Sequence, residues 1–483
     1  MIVQDRRGAG LKFLGKESWN MYQIDFNHPV FVYFVGIGGS GMSSLVEILI
    51  DAGFRVSGSD KTKSAFTDML ESKGITVFYG QRAENITDEI DCAVFTSAIP
   101  KDNPEYVALH ERNIPCLTRA QLLGQIMKHY NTPIAVSGTH GKTTTTSMIS
   151  EILLKADMDP TVSIGGILKT IGGNARVGRS EYFVAEADEY TNSFLSFFPK
   201  IGIILNIEED HPDFFKDLAD IRSSFRKFAQ LLPADGCLII NSAIPDIQEI
   251  TEGLPCRIIT YGLVPGSDYY ASNITYDEMG HPFFTLHSAG QENRQFSLKV
   301  RGEHNVSNAL AAIALADLLS IDSDTTAEAL HAYTGANRRF EYKGTVGGVT
   351  IIDDFAHHPT EISATLKAAA QYPHKTLWCV FQPHTYTRTK ALLKDFAEVL
   401  TLADQVILTD IYPSREPVSL GDSLGIHSKI LQQEIQELGK ECYYFPTFDE
   451  IESFLLKNCI EGDLLITMGA GDVFKIGKNL LGK

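Results

Sequence analysis

The sequence predicts an α/β protein made of three units in tandem, each a mainly parallel sheet flanked by helices. Three observations carry that prediction. The chain has 483 residues, and at about 150 residues per domain this length suggests three domains. Short apolar runs alternate with glycine-bearing turns and helical periods, the pattern of buried parallel strands joined by crossover helices. The alternation restarts at Asn131–Thr132–Pro133 and again after Arg338–Arg339. The expected division is residues 21–130, 131–338 and 339–483. Residues 1–20, polar and without apolar period, are expected to be a disordered or non-native tail.

Composition narrows the function classes. Hydrophobic residues are 44% and charged residues 21%, ordinary for a globular chain and unlike a disordered one. Lys and Arg number 42 against 60 Asp and Glu, a formal charge of −18. That balance argues against nucleic-acid or anionic-membrane partners, while leaving room for a local basic pocket. No apolar run reaches the roughly 18–20 residues of a membrane helix, and the first residues lack the apolar core of a secretory signal. The seven cysteines never form a C-x-x-C. They read as reduced thiols of a cytoplasmic protein, without a disulfide framework or zinc site.

In the first unit, strands are expected at Phe31–Val35, Arg55–Ser57, Thr76–Phe78 and Ala93–Thr96. Between the first strand and a helix from Met42 runs Gly36-Ile37-Gly38-Gly39-Ser40-Gly41, with Asp60 following the second strand. This G-x-G-x-x-G loop in a strand–turn–helix setting lets backbone amides and a helix N-terminus face a pyrophosphate, and puts an acid where a ribose hydroxyl is commonly met. NAD, FAD and UDP-sugars all fit it. The alternative is a tight turn that binds nothing.

The second unit opens with a strand at Ile134–Ser137. Further strands are expected at Tyr182–Ala185, Ile201–Leu205 and Cys237–Asn241, an antiparallel addition within Arg257–Leu298, and a helix at Asn305–Leu319. Ser137-Gly138-Thr139-His140-Gly141-Lys142-Thr143-Thr144 is a phosphate loop, with Lys142 to bridge β and γ oxygens and Thr143 or Thr144 to hold Mg²⁺. It departs from G-x-x-x-x-G-K-[ST], since Val136 stands where the first glycine belongs. ATP is the expected ligand, and two nucleotide loops in one chain argue against a simple dehydrogenase. Glu186-Ala187-Asp188-Glu189 ends one strand and can reach an ion at the neighbouring loop, although an acidic turn is more often merely solvated. His211, after the next strand, would alone read as a packing residue; beside Glu186 it points at the same crevice. His304, Asn305 and Asn308 open a helix, where an asparagine is a good cap.

The third unit is expected to hold strands at Val349–Asp353, Thr376–Phe381, Gln405–Thr409, Cys442–Phe445 and Asp463–Thr467. Asp353-Asp354-Phe355-Ala356-His357-His358 precedes Pro359, a residue pre-organised for a first helical turn. Gln382-Pro383-His384-Thr385-Tyr386-Thr387-Arg388 follows the next strand. Thr467-Met468-Gly469-Ala470-Gly471-Asp472 closes the last one, where a plain backbone turn suffices.

The G-T-H-G-K-T-T loop resembles the ATP loop of the Mur ligase family, ATP-dependent amide ligases of peptidoglycan precursor synthesis. G-I-G-G-S-G-M-S is similar to the loop of the member that joins the first amino acid. The resemblance runs from about Met21 to the C-terminus. It implies an N-terminal Rossmann-like UDP-binding domain, a central P-loop-type ATPase domain and a C-terminal Rossmann-like domain. It further implies that Gly36, Gly38, Gly39, Ser40, Gly41, Met42 and Asp60 hold the UDP-substrate, and that Gly138, Thr139, His140, Gly141, Lys142, Thr143 and Thr144 hold ATP. By the same resemblance Glu186 binds Mg²⁺ beside Thr143, and His211 holds a second Mg²⁺. His304, Asn305 or Asn308 contacts adenine or its ribose, Arg339 reaches phosphates, and Asp354 holds the ATP ribose. His357 or His358 lies near the site, while His384 and Arg388 approach the substrate carboxylate and the incoming amino acid. The family often reads E-A-D-E-S-D where this chain has E-A-D-E-Y-T, which puts local contacts of Tyr190-Thr191-Asn192 in doubt. The implied reaction joins L-alanine to the lactyl carboxylate of UDP-N-acetylmuramate through an acyl phosphate, with Lys142 among the catalytic groups. Two rivals remain: a ligase that attaches a recycled murein peptide to the same nucleotide, and a nicotinamide oxidoreductase using only Gly36–Gly41 and Asp60.

Overall fold

A computed structural model describes residues 22–96, 99–288, 290 and 292–482; the expected tail at 1–20 lies outside them. They form three sheets. The first holds β1 (Phe31–Val35), β2 (Arg55–Asp60), β3 (Thr76–Tyr79), β4 (Cys92–Phe95) and β5 (Cys116–Thr118) in the order β3-β2-β1-β4-β5. All its pairings are parallel. Apolar side chains on both faces of β1, Val32 to Val35, are buried because helices cover the sheet on either side. Strand β1 pairs with both β2 and β4, so the chain reverses direction across the sheet at its C-terminal end. The glycine loop sits at that switch point, where open α/β sheets leave a crevice.

The second sheet has 10 strands: β6 (Thr132–Ser137), β7 (Thr161–Leu168), β8 (Gly173–Arg176), β9 (Tyr182–Ala187), β10 (Ile201–Ile204), β11 (Cys237–Asn241), β12 (Arg257–Gly262), β13 (Tyr269–Tyr276), β14 (Pro282–Ser288) and β15 (Arg294–Ser297). Strand β6 lies between β9 and β10, so the phosphate loop emerges between the acidic end of β9 and the His211 loop after β10. The patch expected to be antiparallel is so only in part. Strand β12 continues the parallel sheet beside β11, and only β13–β14 and β14–β15 are antiparallel. The helix Glu303–Leu318 starts earlier than expected, with Gly302 at its cap; Asn305 is therefore inside the helix, and the capping reading fails.

The third sheet runs β16-β17-β21-β18-β19-β20, from β16 (Glu341–Val346), β17 (Val349–Asp354), β18 (Leu377–Phe381), β19 (Gln405–Leu408), β20 (Cys442–Tyr444) and β21 (Leu464–Met468). Strand β16 is an antiparallel edge that the sequence reading did not anticipate. Apolar packing ties the first two sheets into one body: a single buried cluster joins Leu123 and Ile126 of the first unit to Phe183, Phe194 and Phe197 of the second. The third sheet keeps clusters of its own. Among the described residues no helix is long and apolar enough to cross a membrane.

Candidate active site

At the first glycine loop, Gly38 N–H donates to Asp60 Oδ2 at 2.9 Å, so Asp60 braces the loop itself. Met42, expected at the UDP-substrate, instead buries its side chain in the apolar cluster. Its backbone N–H caps the turn by donating to Gly39 O. A helix side chain directed at the sheet packs rather than binds. Ser40 faces the second unit, where Asn174 Nδ2 donates to its carbonyl and Ser44 meets Ser163 at 3.1 Å. Arg119, which the sequence reading missed, brings its guanidinium to 3.1 Å from where a Cβ on Gly41 would stand. Its only sequence signal was a cation following a short strand.

The phosphate loop is held from both sides by Asn206, whose Oδ1 accepts from His140 N–H at 2.7 Å and whose Nδ2 donates to His140 O at 3.1 Å. Gly141 caps the helix Lys142–Lys155 with φ +83°. A Cβ there would fall 2.6 Å from Asn308 Oδ1, so only glycine serves. Over this loop opens a cavity of about 290 Å³, which brings together His140, Gly141, Thr144, His304, Asn305, Asn308, Arg339 and Asp354. Gly138, Thr139 and Lys142 lie beneath it. Thr143 faces a second cavity of about 370 Å³ at the junction of the three units, shared with Ser40 and Arg339. Asp354 accepts backbone N–H groups from Phe340 and Ala356, and burial pushes its pKa up to about 6. Burial pushes His304 down to about 4.

Lys142 Nζ donates to Gly138 O at 2.6 Å, Thr139 O at 3.1 Å and Glu189 Oε2 at 2.8 Å. Glu189 is only 2% exposed, so the expectation of a solvated acidic turn fails for it. Burial opposes its charge, yet Lys142 and His211 together hold its pKa below the ordinary carboxylate value. The expected metal ligands fall into two groups. Glu186 accepts from Gly165 N–H at 2.7 Å; a Cβ on Gly165 would fill that cradle, 2.8 Å from Glu186 Oε2. His211 stands apart, its Nε2 3.5 Å from Glu189 Oε1, and Asp188, Glu189 and His211 bring donor atoms within 4.8 Å of one another. Glu189 Oε1 and His211 Nδ1 are buried without a hydrogen-bond partner. Hard oxygen donors with one imidazole and unsatisfied lone pairs fit a divalent cation such as Mg²⁺.

The third unit closes on this crevice through charge. Arg388 contacts Asp210 from Nε at 2.9 Å and from its terminal nitrogen at 2.8 Å; both are buried, and the guanidinium holds Asp210 far below the usual carboxylate range against the cost of burial. Arg388 also donates to His384 Nδ1 at 3.0 Å. An arginine only donates, so His384 is a neutral imidazole with its proton on Nε2. Burial, then the neighbouring His357, Arg388 and Arg415, depress its pKa to about 3. His384 therefore offers the crevice a donor and not a base. His358 Nε2 donates to Glu209 O at 3.0 Å across the boundary, whereas His357 packs its ring 5.5 Å from that of His384. His140 Nδ1 meets Glu361 Oε1 at 3.1 Å and its Nε2 lies 3.4 Å from Glu208 Oε2. Burial opposes a charge on His140, but the two carboxylates outweigh it and push the pKa up to about 9. His140, Glu208 and His358 also have metal-like spacing, yet both His358 nitrogens are engaged, so this cluster is an ionic bridge. Asn206, Asp210 and Glu361 escaped the sequence reading because their partners are remote along the chain.

The three units match, one after another, the three parts of a single family. Residues 31–131 match the Mur ligase family, catalytic domain; 136–316 the Mur ligase middle domain; and 338–471 the Mur ligase, glutamate ligase domain. The chain belongs to the Mur ligase family. Within it, the chain is 57% identical over 463 residues to UDP-N-acetylmuramate–L-alanine ligase of Agathobacter rectalis, covering 96% of this chain and 100% of the relative. It is 56% identical to the ligase of that name from Lachnospira eligens, covering 95% and 100%. Among solved Mur ligase structures, the UDP-N-acetylmuramate–alanine ligase of Thermotoga maritima aligns with a TM-score of 0.79 at 31% identity, covering 93% of this chain and 98% of that one. A murein peptide ligase from Psychrobacter arcticus aligns at 0.74 with 25% identity, covering 94% and 98%.

Proposed function

We propose that this Mur ligase joins L-alanine to the lactyl carboxylate of UDP-N-acetylmuramate with hydrolysis of ATP, in peptidoglycan precursor synthesis. The observation that carries the reading is a cavity walled by all three units, with Ser40, Thr143 and Arg339 in its lining, in a chain 57% identical over nearly its whole length to an alanine ligase. A carboxylate is a poor electrophile at neutral pH. Transfer of the γ-phosphoryl group makes an acyl phosphate, and the amine then displaces phosphate through a tetrahedral intermediate. Residues 21–130 serve the UDP-substrate, 131–338 serve ATP and 339–483 close over both. Gly36–Gly41 present amides to the diphosphate, supported by the cation of Arg119. The ATP base and ribose occupy the cavity of His304, Asn305, Asn308 and Asp354.

Lys142, fixed by two loop carbonyls and Glu189, offsets charge on the transferring phosphoryl group. Thr143 with Glu186, and His211 with Glu189, are the residues that would hold Mg²⁺, which supplies charge neutralisation on phosphate and carboxylate oxygens. His384, through its Nε2–H, and Arg388 orient substrate carboxylate and amino acid. His384 does not take the ammonium proton, because its Nδ1 lone pair is occupied by Arg388. The third unit excludes water that would hydrolyse the acyl phosphate. We place the reaction in the cytoplasm, in keeping with seven cysteines that are all free.

The test is phosphate release by purified protein with ATP, Mg²⁺ and UDP-N-acetylmuramate, comparing single amino acids with a tripeptide. Release requires an amino acid and is fastest with L-alanine. Faster turnover with the tripeptide would assign the recycling reaction instead.

A further inference from the structure

The segment Tyr190-Thr191-Asn192 is held in an uncommon shape. Thr191 and Asn192 both take left-handed backbone, φ 55° and 58°, a conformation that costs side-chain-bearing residues energy unless the surroundings impose it. Its first side chain is the reason to look further. Tyr190 Oη donates to Asp213 Oδ2 at 2.8 Å, and the Tyr190 ring lies 4.6 Å from the ring of His211. The guanidinium of Arg415, from the third unit, stands 4.2 Å from the centre of the same ring and donates to the same Asp213 oxygen at 3.0 Å.

Asp210 and Asp213 thus flank His211 on one loop, and each is bound by an arginine of the third unit, Arg388 and Arg415. The two arginines sit on segments that are bound to each other. Tyr412 exchanges backbone hydrogen bonds with Pro383 and Thr385 and stacks on His384, while Glu416 accepts from Tyr386 and Thr387. The loop that carries Arg415 is therefore fastened to the turn that carries Arg388. His211 itself has left-handed backbone, φ 55°, and its Nδ1 has no partner. Its Nε2 faces Glu189 Oε1 at 3.5 Å and Asp210 Oδ2 at 3.8 Å, and the Tyr190 ring packs against the imidazole.

We propose that Arg415 and Tyr190 are positioning residues that couple docking of the third unit to the orientation of His211 toward Glu189. This rests on the reading that His211 serves the Mg²⁺ site. Arg415 is half-exposed, so its replacement leaves the core intact.

Two readouts test the proposal in the full chain. The first needs no metal: hydrogen exchange of the Phe214 and Phe215 amides, which donate to His211 O. Arg415→Ala and Tyr190→Leu speed this exchange about 10-fold, on the scale of one lost exposed-to-half-buried contact, while Tyr190→Phe, which keeps the ring, and Arg415→Lys, which keeps the ion pair, stay nearer wild type. The second is the Mg²⁺ concentration at half-maximal turnover, which rises about 10-fold in the same two variants with the KM for ATP little changed. Wild-type exchange or wild-type Mg²⁺ dependence in Arg415→Ala overturns the coupling. His211→Ala is the separate control: an unaltered Mg²⁺ dependence there overturns the metal reading, whatever the Arg415 variants do.

Discussion

Lys142 and Arg388 are both cations in the crevice, and their surroundings give them different duties. Lys142 is held by a loop that belongs to one sheet, so Lys142→Ala lowers turnover by about 10²–10³-fold, the scale for removing one preorganised charge stabiliser. Because Gly36–Gly41 lie on another sheet, binding of UDP-N-acetylmuramate without ATP, measured by titration calorimetry, stays unchanged. Arg388 is different, since its buried partner Asp210 is left uncompensated when it is truncated. Arg388→Ala costs about 3–5 kcal/mol in denaturant unfolding as well as slowing amide formation. Adding Asp210→Asn restores stability but not amide formation, which separates the two roles. At this scale the phosphate-loop residues and Glu186 were legible from sequence, because each stands at a strand end beside its own motif. Glu189 and Asp210 were not, since only folding sets Lys142 and Arg388 against them.

Between elements, the phosphate loop and the helix Pro359–Ala370 are joined by the His140–Glu361 bridge, which makes their contact depend on pH. The His140 pKa is raised from 6.5 to about 9, so its contribution is fully present below about 6.5 and lost as pH rises through 9. Linkage puts its upper bound at about 3 kcal/mol. Thermal unfolding between pH 6 and 10 follows that loss, and His140→Gln flattens the profile. An equal slope in the variant would remove the bridge from the account. Strands with continuous apolar runs, such as Phe31–Val35 and Cys237–Asn241, are recognisable from their short length and the turn residues that flank them. Strands β7 and β8 are not, because glycines interrupt β7 and their pairing shifts register. Edge strand β16, polar and partly exposed, carries no apolar signal at all.

Over the whole molecule, the first two units share an apolar cluster while the third meets them through ion pairs and hydrogen bonds. Polar contacts release with little exposure of apolar surface, so the third unit is expected to be the one that moves, about Gly335–Phe340, where Arg338 and Phe340 hold left-handed backbone. Small-angle scattering is expected to show a smaller radius of gyration with UDP-N-acetylmuramate and a non-hydrolysable ATP analogue than for free protein. Equal radii, with the free protein shown to be open, would overturn the hinge.

The α/β class, the two glycine loops between strand and helix, and the acids and histidines that follow the strands are all readable from the residue pattern. These are local properties: a glycine turn between strand and helix exposes its amides whatever surrounds it. Folding alone sets Met42 in the core, braces the first glycine loop on Asp60, leaves the His384 proton on Nε2 and pairs Asp210 with Arg388. Burial and Coulomb attraction act through space, over a few ångströms, and only folding brings groups such as Asp210 and Arg388, 178 positions apart, within that range.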